Sequence, residues 1–489
     1  MQLPEVFERK TKIICTIGPN QNSVEDMKDL IMGGMNLARF NFSHGSHEEH
    51  TEKIAMLKQA REELGAHVAF ILDTKGPEIR TGLMEDGQEF EIEEGEGCTF
   101  AYGDFKGTRG NVPVNYPDFC KDLRVGNRIL IDDGKVIMQV IEDKDDHTRA
   151  KCIQGGPIGE QKGINLPDTI VSMPAVTASD IDDIKFGIEQ GCFDFIAASF
   201  IQSAEGVRDI KRVLEDNNCD YISIMSKIEC ASALNNIEEI IDESDAILIA
   251  RGDLGVEISL SKLPYIQDRL IRLCSKKFKP VAVATQMLET MIQNPIPTRA
   301  EVTDVSLAVF QGADAIMLSG ETAVGKYPLQ ALKQMDIIAK TYERYVKKGE
   351  YVNKSTLDPI RRVSCAIGDA AVMASVTLDA AAIVTPTMTG STARLISKYK
   401  PEAPIFAFSS DEHARNRMLL LWGVYPIEGF IRKYEYNVIE LSLEIIKEKK
   451  LVEDGSFLVF TAGDPTNPVV VGEEHVTNSL QIMQMDYAK

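Results

Sequence analysis

Residues 246–255 read AILIARGDLG: an unbroken apolar run, then Arg251-Gly252-Asp253. The run decides the fold. A strand with one wet face alternates apolar and polar residues, whereas a parallel strand covered on both faces is apolar throughout. The same signature recurs at KIICTI (12–17), MNLARFN (35–41), HVAFILD (67–73), FDFIAASF (193–200), YISIMSKIE (221–229), VAVATQ (281–286) and AIMLSG (315–320). Helix-like stretches lie between them, at 23–33, 46–64, 203–216, 261–278 and 298–312. Thr177-Ala-Ser-Asp180 carries a helix-capping start. Eight such strand–helix units predict an α/β fold, a (β/α)8 barrel.

The series is interrupted between about Leu83 and Met173, where Gly-rich turns and short strand candidates (EFEIEEGEGCTF, NRILIDDGKVIMQVI) replace amphipathic helices. A small inserted β domain is expected there. A second α/β series follows residue 348, with a helix near 358–378 and strands AAIVTP, PIFAFS and FLVFTAG, as in an open sheet. The expected organisation is a barrel over 1–83 and 174–345, an inserted β domain over 84–173 and a C-terminal α/β domain over 346–489.

Lys and Arg number 53 against 74 Asp and Glu, a formal charge of −21 over 489 residues. Such a surface repels phosphate backbones and anionic lipid, so nucleic-acid and membrane partners are not expected. It stays compatible with a small anionic substrate, because a local cluster of cations outweighs a distant, salt-screened net charge. The cysteines are odd in number, nine, and scattered without a Cys-x-x-Cys pair, which suits reduced thiols better than disulfides or zinc. The start, MQLPEVFERKTK, lacks the apolar core of a signal peptide, and no run reaches the length of a membrane span. A cytoplasmic location is expected.

In barrels of this kind the active site forms at the C-terminal ends of the strands. The second strand ends in Arg39, Asn41, Ser43 and His44, the third in Asp73, Thr74, Glu78 and Arg80. The fifth ends in Lys227 and Glu229, the sixth in Arg251-Gly252-Asp253, the seventh in Thr285, the eighth in Ser319-Gly320-Glu321. Each alone reads equally well as a solvated loop residue or turn former. Their collection at one end of the strands does not, and an exposed adhesion tripeptide at 251–253 is not expected. Glu229 and Asp253 follow neighbouring strands, and two hard oxygen ligands suit Mg2+ or Mn2+. For either acid alone, a buried carboxylate held by Lys227 is a plausible alternative. Gly252 lets a ligand approach the backbone, and amides entering the next helix can bind an anion. Arg39 and Lys227 add positive charge opposite a metal. Cations around a metal at a barrel mouth suit phosphoryl transfer, outside the P-loop and protein-kinase classes, whose glycine motifs do not occur.

The chain closely resembles the pyruvate kinase family. The match is carried by TKIICTIGP (11–19), MNLARFNFSHG (35–45), DTKGPEIRTG (73–82), KGINLP (162–167), SKIE (226–229), ARGDLGVE (250–257), ATQMLETM (284–291), NPIPTRAEVTDV (294–305) and IMLSGETAVGKYP (316–328). The resemblance implies phosphoryl transfer from phosphoenolpyruvate to ADP, giving pyruvate and ATP in glycolysis. It makes the insert a mobile β-barrel lid and the last domain a regulatory one. Glu229 and Asp253 match the divalent-metal ligands, and Lys227 the lysine that steadies the transferring group. Gly252, Asp253 and Thr285 match the positions that hold the substrate carboxylate, and Arg39 the arginine between substrate and nucleotide. Asn41, Ser43, Asp73 and Thr74 match a K+ site. His44, Arg80 and Lys162, with Asn41, are carried over to nucleotide binding, Lys162 arriving as the lid closes. Thr285, through water, is the candidate proton source. Glu78 matches K+-dependent members, and the family suggests a homotetramer.

The resemblance also makes TPTMTGSTAR (385–394) a phosphate cradle for an allosteric effector, at Thr387, Thr389, Gly390, Ser391 and Thr392. Without it, a plain Ser/Thr helix cap is the better reading. The segment 461–478 brings Asp464, Glu473 and Glu474 but no Arg or Lys, so a monophosphate is expected in preference to a bisphosphate. Two departures from the family, Asp168 after NLP and Val324 in GETAVGKYP, fall outside the catalytic positions. Two rivals stand: a metal-dependent aldolase, which needs neither lid nor K+ cluster, and a catalytically dead sensor, which needs none of Lys227, Glu229, Asp253 and Thr285 together.

Overall fold

Eight parallel strands close into a barrel: β1 (Lys12–Ile17), β2 (Leu37–Asn41), β3 (Ala69–Asp73), β4 (Phe195–Ala198), β5 (Ser223–Ile228), β6 (Ala246–Ala250), β7 (Val281–Ala284) and β8 (Ala315–Leu318). Each pairs with its sequence neighbours, and β8 with β1. The computed structural model describes residues 9–167, 169–346, 359–429, 438–463, 470–471, 474–475 and 477–487. Asp168, Asp464 and Glu473 lie outside them.

Period-2 alternation sorts each strand. One set, including Phe40, Phe70, Leu72 and Ile249, packs outward under the helices. The other, including Leu37, Ile71, Ala197, Met225, Leu248, Ala282 and Met317, fills the bore. The same parity that puts Met225 in the bore lifts Lys227, and then Glu229, to its mouth. Helices on the outside start where their caps dictate. α1 (His47–Leu64) opens on a Ser46/Glu49 capping box, and α2 (Ala178–Gln190) on the expected Thr177/Asp180 box.

The insert between β3 and β4 is a seven-stranded sheet over its own core, which includes Phe100, Val112, Phe119, Ile129 and Met138. Its edges meet at a Thr81–Val114 bridge, with Gly82 N donating to Pro113 O at 2.8 Å, so the sheet closes on itself. Residues 136–143 and 148–154 alternate buried and exposed, as antiparallel strands with one wet face do. Its first strand is Ile79–Arg80, ahead of the expected boundary at 83/84, because Ile79 is buried in the insert's core and pairs with Ile164.

The C-terminal unit is a five-stranded sheet of β9 (Ala382–Pro386), β10 (Ile405–Ser409), β11 (Val424–Glu428), β12 (Phe457–Ala462) and an antiparallel β13 (Ser479–Gln484), in the order β11-β10-β9-β12-β13. Its Leu419 and Leu420 join the bore's core, and Lys12 Nζ donates to Val424 O at 2.6 Å, so this unit stops the barrel's floor. Every cysteine is free and buried, and among the described residues no helix is long and apolar enough to cross a membrane.

Candidate active site

The barrel mouth is a connected charge network. Arg39, near the end of β2, donates from Nε to Asp73 Oδ2 and from Nη1 to Thr16 Oγ1 at 3.0 Å. Lys227 Nζ lies 3.0 Å from Asp73 Oδ1, 3.0 Å from Glu229 Oε1 and 2.7 Å from Ser199 Oγ. Burial alone would raise the Asp73 carboxyl, but Arg39 and Lys227 hold it below its ordinary value. Burial likewise opposes the Lys227 charge, and Asp73 with Glu229 overcomes it, keeping the ammonium above the ordinary lysine value. Lys227 is therefore a fixed cation.

Glu229 is buried, and its Oε2 accepts from Phe200 N at 2.7 Å. Asp253 stands in the first turn of α3 (Arg251–Glu257), the short helix that follows β6. Burial and then the Glu229 charge push its carboxyl up to about 7. A buried and a half-buried carboxylate that repel one another fit a divalent cation. Among the described residues no three His, Cys, Asp or Glu cluster as metal ligands, so the remaining ligands would have to come from substrate and water. Thr285, directly after β7, accepts from Gly252 N at 2.7 Å through its hydroxyl and stands at φ 68°. Arg251 is 4% exposed, which rules out a displayed adhesion tripeptide.

The remaining expected residues fall into two groups. Asn41 and Asp73 are cross-strand partners, and Ser43 N donates to Asn41 Oδ1 at 3.1 Å, so Asn41, Ser43, Asp73 and Thr74 share one corner of the mouth. Their side chains carry hard oxygen donors, the type that cations take. Arg80 and Lys162 line a cleft of about 300 Å3 between insert and barrel, together with Glu78, Asp132, Phe200 and Asp253. Arg80 is tied to Glu78 and to Gln161 O, both at 2.7 Å, and Lys162 Nζ lies 3.6 Å from Asp132. His44 is exposed and stands outside this cleft's lining.

The 385–394 loop lies in the C-terminal sheet, between β9 and α4 (Ser391–Ser397). Gly390, at φ 84°, donates its amide to Thr387 Oγ1 at 2.9 Å, and Thr392 meets Thr477 through their hydroxyls. Thr389 and Ser391 are exposed. Sequence reading missed Thr16 and Ser199. A lone hydroxyl at a strand end looks like a turn residue, and the one available signal is bore-facing parity in β1 and β4.

A closed barrel whose mouth holds a fixed lysine beside two carboxylates, under an inserted β domain, defines a phosphotransferase. Residues 8–332 match the family model "Pyruvate kinase, barrel domain", and residues 365–483 match "Pyruvate kinase, alpha/beta domain". The chain is 42% identical over 478 residues to a pyruvate kinase of Geobacillus stearothermophilus, covering 97% of this chain and 80% of that protein. It is 41% identical to one of Bacillus licheniformis, with the same coverage. A crystal structure of a pyruvate kinase from Cryptosporidium parvum superposes with a TM-score of 0.90 at 35% identity, over 99% of this chain and 97% of that one. The chain belongs to the pyruvate kinase family.

Proposed function

We propose that the protein moves the phosphoryl group of phosphoenolpyruvate to ADP in glycolysis, giving pyruvate and ATP. The observation that carries the reading is Lys227, held charged at 3.0 Å from Glu229, with Asp253 across the same mouth. Glu229 and Asp253 would hold Mg2+ or Mn2+, which when bound neutralises charge on the phosphoryl oxygens. Asn41, Ser43, Asp73 and Thr74 would hold K+. Lys227 stabilises the oxygens of the group in flight, and Arg39 stands between substrate and nucleotide. Gly252, Asp253 and Thr285 hold the substrate carboxylate, and Thr285 passes a proton to the enolate through water. Arg80 and Lys162, with Asn41 and His44, take the nucleotide, the insert excluding water as it closes. The 385–394 loop takes a phosphorylated effector, and the working unit is a cytoplasmic homotetramer.

The test is pyruvate release from phosphoenolpyruvate plus ADP, with Mg2+ and K+ supplied or withheld separately. Turnover should require both ions. An enzyme that cleaves a 2-oxoacid carbon skeleton instead, or that binds phosphoenolpyruvate without releasing pyruvate, would sink the reading.

A further inference from the structure

Thr285 and Gln286 stand at φ 68° and 52°, two successive left-handed residues. Thr285 is the only β-branched residue among the described non-glycine residues with positive φ. A β-branched side chain crowds its own backbone there, and such a conformation persists only where its surroundings impose it. The main hold on the two carbonyls of this turn is one side chain. Arg251 Nη2 donates to Thr285 O at 2.8 Å and Gln286 O at 2.9 Å, and Nε reaches Thr285 O at 3.3 Å. Nη1 is anchored on Asp304 Oδ1 at 2.6 Å, which fixes the plane of the guanidinium. The next residue completes the grip, because Gly252 N donates to Thr285 Oγ1 at 2.7 Å, while that hydroxyl donates to Ala284 O at 2.6 Å. The start of α3 therefore holds Thr285 at both its backbone and its hydroxyl. Arg251 itself is buried and does not line the cleft that Asp253 and Glu257 of the same helix face.

We propose that Arg251 is a positioning residue for the reaction: its planar guanidinium bridges the two carbonyls of the strained Thr285-Gln286 turn and so sets where the Thr285 hydroxyl stands. This rests on the reading of Thr285 as a substrate-contacting residue. Lysine preserves the charge but lacks the rigid fork that spans two carbonyls. Arg251→Lys is expected to lower kcat/KM for phosphoenolpyruvate roughly ten- to a hundred-fold, the scale of an ångström's misplacement, with KM for ADP unchanged.

Two backgrounds test whether the effect passes through the turn. Gln286 is exposed, and glycine adopts positive φ freely, so Gln286→Gly should restore most of the loss in the Arg251→Lys enzyme. In Thr285→Ala, Arg251→Lys should add less than about twofold, because both changes remove the same placement. An equal factor in both backgrounds, or no rescue by Gln286→Gly, overturns the clamp while leaving the Thr285 role intact. Full activity of Thr285→Ala on its own removes the Thr285 role and the clamp with it. Should Arg251→Lys not fold, far-ultraviolet circular dichroism of Arg251→Lys/Gln286→Gly decides: a folded double variant supports the clamp, and an unfolded one overturns it.

Discussion

Lys227 shows what a single side chain can carry here. Its ammonium is desolvated, yet two carboxylates, Asp73 and Glu229, keep it charged, so on the proposed reading it is a pre-oriented cation at the moment charge spreads over the transferring group. Lys227→Met removes that charge at similar volume. It should reduce kcat about 10²- to 10³-fold in single-turnover measurements while substrate affinity changes far less. A loss confined to affinity would show that the lysine only binds. Glu78 allows a different exchange. It lines the cleft but already pairs with Arg80 at 2.7 Å, each side chain partly exposed, so the pair itself contributes little to stability. An ammonium placed there can stand in for a missing monovalent ion, and Glu78→Lys should therefore weaken the proposed K+ requirement. Equal activity of the wild type in K+-free buffer with only bulky organic cations would end that idea. Lys227, Glu229 and Asp253 were readable in the sequence because charges after apolar strands are conspicuous. Ser199 and Thr16 were not, since a hydroxyl acquires its meaning only from the cations that the barrel brings to it. Arg251 was visible as a residue and illegible as a device, because nothing local announces the left-handed turn it holds.

The element that presents Asn41, Ser43 and His44 is held by its own helix. His50, on α1, stacks on Phe42 at 4.1 Å, and its Nε2 lies 3.0 Å from His44 O. A carbonyl only accepts, so Nε2 carries the proton and the neutral ring suffices. Burial, more than any neighbour, holds His50 below the ordinary 6.5, with His47 acting in the same direction and the His44 carbonyl, Asp183 and Glu49 opposing. The unfolded chain takes up the proton at about 6.5 and the folded state only at lower pH. The stability contributed by this ring is thus complete above 6.5 and lost as pH falls below it. His50→Gln retains a donor but cannot titrate, so it should flatten the acid limb of thermal stability between pH 6.5 and 5. An unchanged limb would assign it to other groups. At this scale the sequence told most where chemistry is local. The capping box at Thr177 was legible in kind, whereas β11 was missed because VYPIE carries Pro426 and a terminal Glu428, as a loop would. The insert's first strand was hidden for a related reason, being two residues long and defined by pairing with the distant Gly163 and Ile164.

Across the whole molecule, eight repeated units announced the barrel, but nothing in the sequence announced how its floor is closed. That closure is a contact between distant segments. Asp314, just before β8, is wholly buried and takes Lys398 Nζ on one oxygen and Lys400 Nζ, at 2.9 Å, on the other, while its Oδ2 also accepts from Val281 N. Burial alone would raise the Asp314 carboxyl, and the two lysines hold it below its ordinary value. Lys400 is drawn down to about 8 by burial despite that partner, so the pair sits near the limit of what a dry interface tolerates. Lys398 caps the end of α4 and Lys400 stands two residues further on, while the first turn of α4 ends the 385–394 segment, so one seven-residue helix joins that segment to the barrel floor. Asp314→Asn removes the one carboxylate that, among the described residues, bonds either ammonium, and leaves two buried cations facing each other. Breaking such a network should cost about 3–5 kcal/mol, read as a lower urea midpoint. Because the barrel and the C-terminal sheet each keep their own core, the loss should fall on their docking. Limited proteolysis should then cut between the two units while each resists further digestion. A variant with an unchanged midpoint and an uncut chain would show that Leu419 and Leu420 close the floor without help from charge.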